Sequence, residues 1–413
     1  RVALPPEVVL RVTALLPPIL VHAVRGERRT AWVWPLNLAA TAWTARSELA
    51  CDSNIHETLF LPGGERLVTT HWDGGRATST VWSMRSRSEV ARFRRRCPVE
   101  FLGMSRAFPD GERVVSMSEG GQPLVVWNAK FGVPIQRLDL NITTDGDNFL
   151  EVRVLQPGDR VVIASPWRVV IMNASSGRLL HSLRHPSAVL CMEVSPCGGK
   201  VVTAGDGGLF LWNAVTGALD LHIGVQVARR RPRVEVSRGG AKILANMGRS
   251  ISVWEGGTGE LSRAIIMDSG DVADFAILPD GRRLVVVSEV SAKVWDVEAG
   301  LILQTLSGLI GYFGSSGRLT LALSASGDAM AICSTLRGRR QRYDFGLDDD
   351  EFEAWELDRW FEDTVEYTAQ MWDLASGRPL HTYEETTLPH GPPPICSVSV
   401  SSVSQQLQES FVG

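Results

Sequence analysis

The residues of this sequence whose type and density best suit chemistry are carboxylates. Asp344, Asp348, Asp349, Asp350, Glu351, Glu353, Glu356, Asp358, Glu362, Asp363 and Glu366 share their stretch with a single basic residue, Arg359, and with Phe352, Trp355 and Trp360. Carboxylates this dense suit either a calcium ion or a basic protein surface. The Asp-x-Asp-x-Asp-Gly spacing of a calcium loop is absent, which leaves the protein surface. Asp348, Asp349, Asp350, Glu351, Phe352, Trp355 and Trp360 are thus the candidate partner-binding residues; the plainer alternative is that the aromatics only anchor a solvated loop. Phe352, Trp355, Glu356, Arg359 and Trp360 fall at helical spacing, which predicts a short amphipathic helix.

Other chemistry is not assembled. His56-Glu57 opens like a zinc-binding helix, but Phe60 stands where the second His is needed. Phosphate loops, dinucleotide fingerprints and nucleophile elbows are missing, and the six cysteines include no CxxC pair. No catalytic, cofactor-binding or metal-binding residue is assigned and no cofactor is expected. The short runs Arg94 to Arg96 and Arg229 to Arg233 read as solvated loops. They carry no aromatic platform, and a net charge of −4 gives no cationic field for nucleic acid.

The elements that position these residues come from a repeat. An apolar strand ends in Trp, a small or polar residue follows, and a turn leads to another strand. The repeat positions are Trp82, Trp127, Trp212, Trp254, Trp295 and Trp372, with Met172 in the place of Trp in a seventh copy. From Trp82 to Trp295 the steps are 40 to 45 residues, the length of a four-stranded propeller blade. A second marker runs in phase, a Pro/Gly/Asp turn between apolar strands, as in "LPGGERLV", "FPDGERVV", "SPCGGKVV" and "LPDGRRLV".

These residues resemble the WD40 family over roughly residues 55 to 384. Trp295-Asp296 and Trp372-Asp373 match its dipeptide, and Trp127-Asn128 and Trp212-Asn213 are near matches. In "HPSAVLCMEVSPCGGKVVTAGDGGLFLW" the resemblance implies that His185, Thr203, Asp206 and Trp212 form a buried hydrogen-bonded set. The implied fold is an all-β, WD40-like β-propeller, with eight blades favoured over seven and closed by strands from both termini. Closure of that kind leaves no exposed sheet edge.

The expected organisation is an N-terminal helical or linker segment at 1–28 and a propeller at 29–413. Seven clear repeats cover 55–384, and an eighth blade draws on 29–50 and 394–413, the latter read as two strands. An acidic insertion at 337–366 separates the second and third strands of the last repeat, on the face where the family receives partners. "LPPEVVLRVTALLPP" (4–18) reads as a helix that resembles the start of an F-box, the motif that docks on a ubiquitin-ligase adaptor.

At 413 residues, 44% apolar and 21% charged, the chain has ample material for a core. Few cysteines suit a reducing compartment, so an intracellular, cytoplasmic location is expected. The apolar stretch Val8 to Val24 is broken by Arg11, Pro17, Pro18 and His22, so no membrane insertion is expected. The expected function is a non-enzymatic scaffold that holds one or more proteins, with a basic surface, within a larger complex. The alternatives are a ubiquitin-ligase substrate receptor and, behind it, a propeller enzyme. The last would show clustered carboxylates with shifted pKa values at a channel mouth.

Overall fold

A computed structural model describes residues 55–306 with short interruptions, 318–323, 327–341, 361–387, and strands at 18–23, 30–35, 47–50 and 396–400. All of the regular elements among them are strands. The N-terminal strands are β1 (Pro18–Ala23), β2 (Thr30–Pro35) and β3 (Ser47–Ala50). The Trp82 sheet follows with β4 (Ile55–Phe60), β5 (Arg66–Asp73), β6 (Arg76–Ser83) and β7 (Ser88–Arg96). The Trp127 sheet holds β8 (Ser105–Ala107), β9 (Arg113–Ser116), β10 (Leu124–Asn128) and β11 (Val133–Leu138). The Met172 sheet holds β12 (Glu151–Leu155), β13 (Arg160–Ala164), β14 (Val169–Asn173) and β15 (Leu179–Leu183). The Trp212 sheet holds β16 (Val189–Val194), β17 (Lys200–Gly205), β18 (Gly208–Asn213) and β19 (Leu219–Ile223). The Trp254 sheet holds β20 (Val234–Val236), β21 (Lys242–Asn246), β22 (Ser250–Glu255) and β23 (Leu261–Ile266). The Trp295 sheet holds β24 (Val272–Ile277), β25 (Arg283–Ser288), β26 (Ala292–Asp296) and β27 (Ile302–Leu306). The Trp372 sheet holds β28 (Arg318–Leu323), β29 (Ala329–Gln341), β30 (Phe361–Asp373) and β31 (Arg378–Thr387), and β32 (Cys396–Val400) ends the series.

Each named sheet is an antiparallel meander, and one further sheet runs β3-β2-β1-β32, so both ends of the chain meet in it. Its register pairs Ile19 with Val400 and Ala23 with Cys396. Two expectations change here. The 1–28 segment read as helical or linker already contains β1, because Ile19 and Val21 offer the β-branched alternation that a strand needs. The C-terminal segment supplies one described strand rather than two.

The core lies between sheets. Val68, Val81 and Phe93 of the Trp82 sheet pack with Val114, Val125 and Trp127 of the next. Val115 and Val126 pack with Val161, Ile163 and Met172, and the pattern repeats through to Trp372. Adjacent sheets thus share their apolar faces, which is the packing of a propeller. First strands of neighbouring sheets also lie against one another: β4 on β8, β8 on β12, β12 on β16, β16 on β20, β24 on β28, β28 on β32 and β32 on β4.

Two local features recur. In the first turn of each of the seven repeat sheets a Gly takes a positive φ, as at Gly111 (φ 67°) and Gly281 (φ 71°), where its N–H donates to the carbonyl three residues back. At every repeat position the ladder between third and fourth strands slips by one residue, for example between Val81 and Trp82 and between Val294 and Trp295. The extra residue sits on the outer strand, as Val90, Ile135 and Leu303 show.

Candidate functional site

The repeat residues are buried: Trp127 and Trp372 are fully enclosed, and Trp82, Met172, Trp212, Trp254 and Trp295 nearly so. Full burial of one Trp removes roughly 200 Å² from water, worth on the order of 5 kcal/mol as an upper estimate. Three of the indoles also donate to a hydroxyl on the second strand: Trp82 Nε1 to Thr69 Oγ1 at 2.9 Å, Trp127 to Ser116 Oγ at 3.0 Å, and Trp212 to Thr203 Oγ1 at 3.1 Å. Thr203 Oγ1 also meets His185 Nε2 at 2.7 Å, and His185 Nδ1 meets the Leu183 carbonyl at 3.1 Å. Burial lowers the His185 pKa, so the neutral ring is favoured. Asp206 lies exposed in the turn between β17 and β18.

The residue after Trp has its own task. Asn128, Asn213 and Asp296 each accept two backbone N–H groups of the following turn through Oδ1, at 2.7 to 3.1 Å. Asn and Asp are equivalent here because only an acceptor oxygen is required.

The first strands carry a charged network that sequence reading missed. Glu57 on β4 accepts the Ser105 N–H with both oxygens, at 2.9 and 3.1 Å, and lies 3.7 Å from Arg106 on β8. Arg106 reaches Glu151 on β12 at 3.9 Å; Glu151 pairs with Arg153, which also binds Glu193 on β16 at 3.0 Å. Arg233 pairs with Glu235 on β20 and with Asp274 on β24, both at 2.9 Å. Asp274 in turn accepts the Leu321 N–H of β28 at 3.1 Å. The network thus passes from sheet to sheet. Its one sequence signal is a charged residue two to five positions before a first turn, in a strand whose other residues are core.

Burial raises the pKa of Glu57 and of Glu151 against the opposing pull of their arginines. For Glu193 burial is the largest single influence and raises the pKa, but Arg153, the Val194 N–H and Arg233 together outweigh it and hold the carboxyl low. Glu235 is pushed up to about 7, by burial first, with Arg233 opposing and Glu193 and Asp274 adding to the rise. Arg233 belongs to a run expected to be solvated; it is instead an ion-pair member, because two carboxylates are packed against it. Chemically, the network can fix the angle between sheets, and Glu235 has the pKa of a base near neutrality.

The insertion differs from expectation at its ends. Residues 337–341 and 361–366 continue the β29–β30 ladder, which pairs from Ala329 with Asp373 out to Gln341 with Phe361. Its register sets Arg339 opposite Asp363 and Arg340 opposite Glu362, pairings that favour strands over a helix. Asp348, Asp349, Asp350, Glu351, Phe352, Trp355 and Trp360, with the helix predicted for them, lie outside the described residues.

No family model matches the chain, and no curated protein matches it. Among solved structures, the crystal structure of the C-terminal WD40 domain of Sif2 is similar, with a TM-score of 0.59 at 16% identity, over 76% of this chain and 89% of that one. Together with the shared cores of successive four-stranded sheets, this defines the chain as a WD40-like β-propeller. The F-box resemblance gains no support: residues 4–17 lie outside the described residues, and Pro18 opens β1. Among the described residues no helix is long and apolar enough to cross a membrane, and no group of His, Cys, Asp and Glu could hold a metal ion.

Proposed function

We propose that the protein is a non-enzymatic interaction scaffold whose eight sheets close as one ring and whose extended β29–β30 hairpin is its main contact with a basic protein partner. The observation that carries this reading is the hairpin. Its strands run for 13 residues each, against 6 each in β17 and β18, so the pair continues roughly 20 Å further at about 3.3 Å per residue. A self-contained ring needs no such projection, and the projection leads to the acidic, Trp-bearing stretch at 342–360. The setting is taken to be intracellular and cytoplasmic. Cys191 is a free thiol pushed up to about 12, mainly by burial, which makes it a poor candidate for oxidation.

The test replaces residues 337–365 by Asn-Gly between Leu336 and Glu366, which the register places opposite each other. The shortened protein should keep its melting temperature within a few degrees and lose the partners that the full chain captures. Unchanged capture would remove the hairpin from the reading.

A catalytic reading has one observation in its favour, the first-strand carboxylates with shifted pKa values. It is the weaker of the two, because Glu57, Glu151, Glu193 and Asp274 are already committed to arginines or backbone N–H groups. Turnover of any ester or glycoside in a substrate panel, abolished by Glu235→Gln, would reverse the order.

A further inference from the structure

A cavity of about 700 Å³ opens where the first strands run into their first turns. Six successive sheets contribute to its wall, through Pro109, Gln156, Pro196, Glu235, Pro279 and Leu323 among others. The size falls in the range of ligand sites, and the wall is mostly proline and aliphatic. Glu235 is the one charged side chain among its lining residues. Arg233 donates to Glu235 Oε1 at 2.9 Å, whereas Oε2 has no hydrogen-bond partner among the described residues. The first strands of the six sheets that line the cavity carry Glu151, Glu193, Glu235 and Asp274 and, as cations, Arg106, Arg153 and Arg318, with Arg233 just before β20, so these charges balance and the charge of the wall itself is that of Glu235.

We infer that this cavity receives the cationic side chain of a partner polypeptide, a lysine or arginine whose alkyl stem lies along the proline and leucine wall and whose head meets Glu235 Oε2. The inference rests on the reading of the chain as a protein-binding scaffold but concerns the opposite end of the sheet from the hairpin. An apolar stem with a charged tip matches a wall that is mostly apolar, with Gln156 and Ser237 as its neutral polar groups and one carboxylate as its only charge. A hydrogen bond between charged partners at a sheltered carboxylate is stronger than one between neutral groups, so the charge should dominate selectivity. Anions and neutral polar groups gain nothing comparable there.

The test uses three probes on the full chain: N-acetyl-lysine methylamide, N-acetyl-arginine methylamide and the neutral N-acetyl-norleucine methylamide, titrated by NMR at pH 8. Saturable binding of at least one cationic probe, tenfold or more tighter than norleucine, is expected. Glu235→Gln should weaken the cationic probe by tenfold or more and leave norleucine unchanged. Equal affinity for norleucine, no saturable binding, or an unaffected Glu235→Gln protein overturns the inference. The norleucine comparison needs no variant, so it holds even if the substitution disturbs the fold. The hairpin-shortened protein should bind the probes as the full chain does, which separates failure of this site from failure of the scaffold reading.

Discussion

At the scale of single residues, the repeats differ in how they treat the indole N–H. Thr69, Ser116 and Thr203 sit two positions beyond the residue that faces the repeat Trp across the ladder. In the Trp295 sheet that position is Val286, and Trp295 Nε1 is buried with no hydrogen-bond partner among the described residues. In the Met172 sheet the position is Ile163, and Met brings no donor, so nothing is left unpaired. Val286→Thr should therefore stabilise the protein by about 1 kcal/mol, while Thr203→Val, which strands both Trp212 and His185, should cost about 1–3 kcal/mol in urea melts. Glu235 gives a pH prediction. Its carboxyl binds protons more tightly folded (about 7) than at its ordinary value of 4.5, so its contribution falls as pH rises between those values and is level above. The melting temperature of Glu235→Gln relative to the native protein should thus be higher at pH 8 than at pH 5. The Trp positions were legible in sequence from their spacing. Of their hydroxyl partners, Thr203 was named through the family resemblance; Thr69 and Ser116 were not, because loop length varies and the partner precedes Trp by 13, 11 or 9 residues.

At the scale of elements, the turns were the most legible part, since Gly and Asp mark a backbone that few residues adopt. Not all of these glycines are equal. At Gly281 a Cβ would meet open space, so Gly281→Ala should cost about 1–2 kcal/mol for the left-handed backbone alone. At Gly132 (φ +67°) a Cβ would collide with the backbone carbonyl of Arg92 on the preceding sheet, so Gly132→Ala should cost clearly more. Urea melts of the two variants decide this. The insertion was legible as extra length and as charge, but not as strand. The ladder runs out to Gln341 and Phe361, and cross-strand pairing of that kind depends on register that local sequence does not carry.

At the scale of the molecule, the first strands depend on one another through ion pairs whose members come from different repeats. No single repeat shows this, because Glu57 and Arg106, or Arg153 and Glu193, acquire meaning only when sheets are neighbours. The sheet built from both termini adds a further dependence, since β32 covers the edge of β1 and lies against β4 and β28. Removal of residues 394–413 should lower the melting temperature and promote concentration-dependent association, followed by light scattering. A peptide spanning 394–402 should reverse both. The involvement of both ends was legible because the chain holds half-repeats at each end; the division of strands between them was not.

The slipped ladder at each repeat position has a further effect at the rim. Among the described residues every outer strand is an open edge, and several carry exposed aliphatic residues, Leu179, Leu219, Leu261 and Ile302 among them. A flat row of such edges would template the addition of strands from other molecules. The extra residue on the outer strand of each of the seven repeat sheets interrupts its hydrogen-bonding rhythm and increases its twist, so an incoming strand finds no continuous register to extend. The residue that fastens each of the seven repeat sheets inside, Trp in six and Met172 in one, therefore also marks where the rim resists fibril growth.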